Sequence, residues 1–215
     1  MLAILAGALA LCAGPCIAGS VEQEVISADN AARLRVQQPG KFVYGLRFVD
    51  RQGKHLLLLT TQDSASNAGT QPGRIDKHRL WAASYRLNAA NSWQREWRIA
   101  DGVSCPDLDS EAVFLLKGVA VTDLDDDSMA EVTIPYRKFC GGGIDTKDVV
   151  VALRTGKREF VLRGQSQLII PGQAPIGGEH EPDAVLQQAR FKVFLDHLEN
   201  TWSKVASEEI GVDSK

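Results

Sequence analysis

The sequence predicts a mainly β fold of the α+β class, in which antiparallel hairpins form a curled sheet or sandwich and one C-terminal amphipathic helix packs on it. Strand-like runs recur from Lys41 to Ile170, separated by short turn signals. The apolar period changes to offsets of three and four only after Pro182. No composition shift divides the chain, which argues for one domain.

The first nineteen residues carry no charged side chain, and Leu2 to Leu11 is an apolar run interrupted only by Gly7. Gly14 and Pro15 break it before the roughly 20 apolar residues that a spanning helix needs. It therefore reads as a secretory signal over residues 1–18, cut after Ala18. Residues 19–215 then form a single β-rich domain with no membrane span, placed in the periplasm, at the cell surface or outside the cell. A lipoprotein anchored at Cys12 or Cys16 is the lesser reading, because Leu11 and Pro15 suit a lipidation site poorly.

Lys41 to Asp50 and His55 to Thr61 form a first hairpin across Arg51, Gln52, Gly53 and Lys54. Leu56 to Leu59 is apolar on both faces, as a central strand requires. Gln62 to Lys77 reads as a long exposed loop. His78 to Leu87 and Trp93 to Ala100 make a second hairpin. Alternation groups Trp93, Arg95, Trp97 and Ile99 on one buried side, opposite Gln94, Glu96 and Arg98. The four tryptophans are assigned to the core. Ala112 to Thr122 and Glu131 to Lys138 flank an acidic loop, and Val149 to Arg154 pairs with Glu159 to Leu162. Gln167 to Ile170 adds one more strand. The helix is expected over about 182–206, burying Phe194, Leu198 and Trp202.

The formal charge of -3 and the absence of any Lys or Arg stripe exclude nucleic acid as a partner. The informative segment is the acidic loop. Asp123, Asp125, Asp127 and Glu131 stand at relative positions 1, 3, 5 and 9, and Met129 can add its backbone carbonyl. Alternate residues of a tight loop aim at one centre, and hard calcium takes 6 to 8 oxygens. Calcium is the expected cofactor. Loops of this spacing usually carry glycine after the second and third acids, where positive φ is cheap; here Asp126 and Ser128 stand there.

Cys105 and Cys140 are the two cysteines of the domain body, and an isolated pair in an oxidising compartment forms a bridge. The bridge would tether the strands that hold the acidic loop. The competing reading, a catalytic thiol pair, lacks redox-motif spacing. Gly141 to Gly143 read as a flexible turn, and Glu179, His180 and Glu181 as a solvated lead-in to the helix. His55, His78 and His197 are scattered, with no nucleophile-elbow serine or paired-His motif to join them.

The run from Val121 to Val132, followed by Tyr136, Arg137, Cys140, Lys147 to Val149 and Gly156 to Gly164, resembles a sparsely characterised bacterial family of surface polysaccharide biosynthesis proteins. The loop alone is similar to the calcium loops of FG-GAP repeats. The first resemblance implies an exported protein with a Cys105 to Cys140 bridge. These readings converge on a non-catalytic binding or scaffold protein whose partner is a surface glycan or an envelope assembly protein. The alternative is a hydrolase or lyase acting on envelope polysaccharide through the loop carboxylates.

Overall fold

The computed structural model describes residues 21–67 and 73–210, so the expected signal over 1–18 lies outside the described residues. A first antiparallel sheet runs in chain order through β1 (Glu22–Val25), β2 (Lys41–Asp50), β3 (Gly53–Asn67), β4 (Arg74–Leu87) and β5 (Trp93–Pro106). A short helix, α1 (Ala28–Arg33), links β1 to β2, with the Ser27 hydroxyl capping the Asn30 N–H. The second sheet is built from β6 (Asp109–Phe114), β7 (Ala120–Thr122), β8 (Glu131–Gly141), β9 (Asp148–Thr155) and β10 (Arg158–Gln165). Then come β11 (Gln167–Ile169), β12 (Ile176–Gly177), β13 (His180–Pro182), α2 (Lys192–Val205) and β14 (Ser207–Glu209). The second sheet has the order β13-β10-β9-β8-β6, with β7 also on β8, and β12-β11-β14 form a small third sheet.

The two main sheets pack face to face, as expected for a sandwich. Leu57 and Leu59 of β3, Leu80 of β4 and Ile99 of β5 meet Val132 and Ile134 of β8 and Val150 and Ala152 of β9. The alternate residues of β3, Leu56 and Leu58, turn to the outer face, where Ala31 and Leu34 help to cover them. β3 is thus apolar on both faces because it is central and both faces are covered. The outer face of the second sheet, with Val149, Val151, Leu153, Phe160 and Leu162, is covered by Phe194, Leu198 and Trp202 of α2. Each of these three helix side chains contributes roughly 1.5–3 kcal/mol by leaving water.

Five expectations need correction, four of them in the secondary structure. Residues 62–77 are not one long loop: β3 and β4 continue as a paired ribbon as far as Asn67 and Arg74, their outer residues held by backbone hydrogen bonds that apolar patterning does not register. The strand expected over Ala112 to Thr122 is broken at residues 116–118, because Pro135 on the facing strand has no N–H to offer. β6 pairs with Tyr136 to Gly141, and β7 with Glu131 to Thr133. The helix starts at Lys192 rather than near 182. Asp183 instead continues the sheet edge, its N–H on the Val161 carbonyl and its Oδ2 accepting the Val161 N–H at 2.9 Å each. Two short turns, over residues 184–187 and 189–191, then bury Leu186 and Phe191.

The fourth correction concerns β5. Ser84 pairs with Trp97 and Tyr85 with Arg95, so Glu96 is an extra residue, a β-bulge. The side-chain phase flips there. Trp97 packs between the sheets, while Trp93 packs on the outer face with Leu56 and Tyr85. Trp202 is buried, and Trp81, Trp93 and Trp97 are half-buried.

Cys105 and Cys140 form a disulfide with Cα atoms 5.5 Å apart, joining β5 of the first sheet to β8 of the second. It does not tether the acidic loop. Cys140 lies nine residues down β8 from Glu131, roughly 30 Å at strand rise. The bridge and the loop occupy opposite ends of the sandwich.

Candidate metal centre and its bracing

The acidic loop runs from the end of β7 to the start of β8. Asp126 and Ser128 have φ of +56° and +65°, the left-handed backbone for which glycine was expected. The turn geometry therefore survives without glycine, at about 1 kcal/mol per residue. With the chain turned in this way, one oxygen each from Asp123, Asp125 and Glu131 lies within 4.8 Å of the others. Asp127 is used differently: its Oδ1 accepts the Met129 N–H at 2.7 Å.

Two carboxylates of the group, Asp123 and Glu131, are each held by one oxygen. Asp123 Oδ2 accepts the Ser128 N–H at 3.0 Å, and Glu131 Oε2 accepts the Leu124 N–H at 2.7 Å. The other oxygens, Asp123 Oδ1 and Glu131 Oε1, are buried and make no hydrogen bond of good geometry, although the hydroxyl of Thr155, the cross-strand partner of Glu131, comes close enough to stabilise its charge. Glu131 is 0 % exposed. Burial pushes its carboxyl up to about 7, helped by the charges of Asp125 and Asp127 and opposed by the Leu124 N–H. Asp125 is likewise raised, by burial and by the charges of Asp127 and Asp123. Two buried oxygens short of hydrogen bonds and an unneutralised cluster match the demand of a divalent cation for anionic oxygen ligands.

The β2–β3 turn clasps this loop from the other sheet. The Arg51 N–H donates to the Ser128 carbonyl at 2.8 Å, and Asp50 Oδ2 accepts the Ala130 N–H at 3.2 Å. Asp50 is itself held by His55, whose Nε2 lies 2.8 Å from Asp50 Oδ1 and whose Nδ1 lies 3.0 Å from Glu96 Oε2. Arg86 closes the row with Nε 3.1 Å from Glu96 Oε1, and the His55 ring stacks on Phe48 at 4.9 Å. Burial pulls the His55 imidazolium down, but the hydrogen bonds and charges of Glu96 and Asp50 outweigh it and set its pKa above the ordinary value. Ionised carboxylates only accept hydrogen bonds, so both ring nitrogens must donate, which requires the protonated ring.

No family model matches this chain, and neither a curated protein nor a solved structure matches it.

Asp50, His55 and Glu96 belong to the loop's support and were missed from sequence, since Asp50 and Ala130 are 80 residues apart. The glutamates and histidine at 179–181 do not form a ligand set: His180 pairs with Glu199 at 2.7 Å and packs its ring on Trp202 at 4.6 Å. His197 meets the Thr133 hydroxyl at 2.9 Å, and burial lowers its pKa. A wide polar hollow of about 590 Å³ lies against β9 and β10, away from the loop. Three of its four carboxylates are engaged within the protein: Asp101 by Lys138, Asp148 by Gln165 and Asp183 by Arg163, while Glu181 also lines it.

Proposed function

We propose that this chain is an exported envelope protein whose sandwich is braced at one end by calcium in the loop of Asp123, Asp125 and Glu131, and that it serves as a binding or scaffold protein linked to surface polysaccharide. The observation that carries the cation is Glu131: a fully buried carboxylate whose second oxygen makes no hydrogen bond of good geometry and which converges with two further acids. The other two ligands expected from sequence, Asp127 and the Met129 carbonyl, lie outside the converging group, and Asp127 Oδ1 is taken by the Met129 N–H. Calcium suits the loop better than magnesium, which demands a stricter octahedron at shorter distances. The Cys105 to Cys140 bridge supports export, because such bonds persist outside the reducing cytosol. The link to polysaccharide rests on the resemblance over Cys105 to Gly164.

In this reading the ion holds two sheets in register and reacts with nothing. Calorimetric titration of the native chain with calcium is expected to show one site, with a matching rise in unfolding temperature. Glu131→Gln is expected to remove both responses and, without calcium, to raise stability by roughly 3 kcal/mol at neutral pH, the cost of the raised carboxyl. A native chain that gives neither heat nor thermal shift overturns the proposal.

A further inference from the structure

At the disulfide end, three residues that sequence reading left unconnected form a hydrogen-bonded relay. His78 on β4 and Asp63 on β3 are direct cross-strand partners, with Nδ1 2.7 Å from Asp63 Oδ1. His78 Nε2 lies 3.0 Å from the hydroxyl of Ser110 on β6, a strand of the other sheet. An ionised carboxylate only accepts, so Nδ1 carries the proton of the neutral ring and Nε2 is left as the acceptor of the Ser110 O–H. That is the tautomer and the order of roles that acyl-transfer nucleophiles use, recognised by geometry rather than by position in the chain.

The relay opens onto a hollow of about 410 Å³ lined by all three residues, with Arg74, Leu108 and Asp109. Its volume falls in the range of small-molecule sites. Its walls are rigid: Ser110 pairs in register with the disulfide cysteine Cys140, and Cys105 pairs with Asp76. Arg74 brings a positive charge to the same hollow. One of its nitrogens, Nε, is held by Asp76 at 2.7 Å.

We propose that Asp63, His78 and Ser110 form a second functional site, a nucleophilic relay that cleaves short-chain carboxylic esters. Ser110 Oγ bonds to the ester carbonyl carbon as its proton passes to His78 Nε2. The carbon to alkoxy-oxygen bond then breaks, and the departing alkoxide takes that proton. Water, deprotonated by the same nitrogen, attacks the acyl-serine; the acid leaves and Ser110 regains its hydrogen. Leu108, half-exposed at the rim, offers apolar surface to a small acyl group. Asp63 is the weak member, with a side chain 71 % exposed, and solvent screens its charge. Turnover is therefore slow, and the covalent adduct is the informative readout.

The test is a fluorophosphonate probe on the full chain, with the labelled peptide mapped by mass spectrometry, alongside hydrolysis of p-nitrophenyl acetate. The native chain is expected to be labelled at Ser110, Ser110→Ala to lose the adduct, and His78→Asn to slow labelling roughly 100-fold. Asp63→Asn should cause a smaller loss. An unlabelled Ser110, or a labelling rate indifferent to His78→Asn, overturns the proposal and leaves a cross-strand hydrogen-bond link. Neither result depends on calcium, so this site and the acidic loop stand or fall separately.

Discussion

The two ends of the sandwich solve one problem in different ways. Both must join the first sheet to the second where strands give way to turns. At one end the chain uses a covalent bond between Cys105 and Cys140, supported by Asp101 reaching Lys138 at 3.0 Å and the Tyr136 hydroxyl at 2.9 Å. At the other, it uses a clasp of backbone amides and carboxylates around Asp50, Ala130 and Glu131, with the converging carboxylates of Asp123, Asp125 and Glu131 at its core. The first connection is sensitive to reductant. In the proposed reading the second responds to a divalent cation instead, which would let one end loosen while the other stays closed.

The largest expected effect breaks the covalent end. Closing a loop of 35 residues is worth about 4 kcal/mol on chain-entropy grounds. Replacing both cysteines by alanine should lower the denaturant midpoint accordingly. Because the loop is far away, the calcium-induced gain in stability should survive almost unchanged in that variant. A lost calcium response would show that the ends are coupled.

A smaller effect separates the ends by pH. Burial raises the Asp101 carboxyl, but hydrogen bonds from Lys138, the Gly102 N–H and Tyr136 outweigh it and hold it below its ordinary 3.8. Its contribution is present above that value and lost as pH falls through the folded pKa. His55 has the opposite sign. Its folded pKa lies above 6.5, so its contribution is complete below 6.5 and lost as pH rises through the folded value. Asp101→Asn should cost about 1–3 kcal/mol at pH 6, most of which disappears in acid. His55→Gln should cost a similar amount at pH 6, most of which disappears in mild alkali. Unfolding curves across pH check both signs.

Much of this contrast could be read from the chain, and the remainder has physical reasons for being hidden. The spacing of Asp123, Asp125 and Glu131 located the cluster because alternate residues of one tight turn converge without outside help. Cys105 and Cys140 were legible because no other cysteine of the domain body competes for them. His55 and Glu96 were not legible as supports. Their meeting depends on strand pairing and on a bulge that reverses the alternation of β5, and nothing in the local sequence encodes either. His78 and Ser110 stayed unconnected for the same reason, since they lie on strands of different sheets. The break opposite Pro135 could have been foreseen only by knowing which strand faces it.

The smallest expected effect sharpens the description of the loop. Ser128 has φ of +65° where glycine would be unstrained, and its loop contacts are made by its backbone amide and carbonyl. Ser128→Gly should raise stability by up to about 1 kcal/mol with calcium bound, with no loss of calcium affinity. Thermal unfolding in saturating calcium reads this change, and a destabilised variant would mean that the hydroxyl supports the loop.

The most direct test is amide hydrogen exchange measured end by end, with calcium and with a chelator. Calcium should slow exchange at Leu124, Ser128 and Ala130, whose N–H groups are bound to Glu131, Asp123 and Asp50, and leave the amides around Cys105 and Cys140 as they were. Equal slowing at both ends, or no slowing in the acidic loop, would contradict a sandwich held by a cation at one end and a covalent bond at the other.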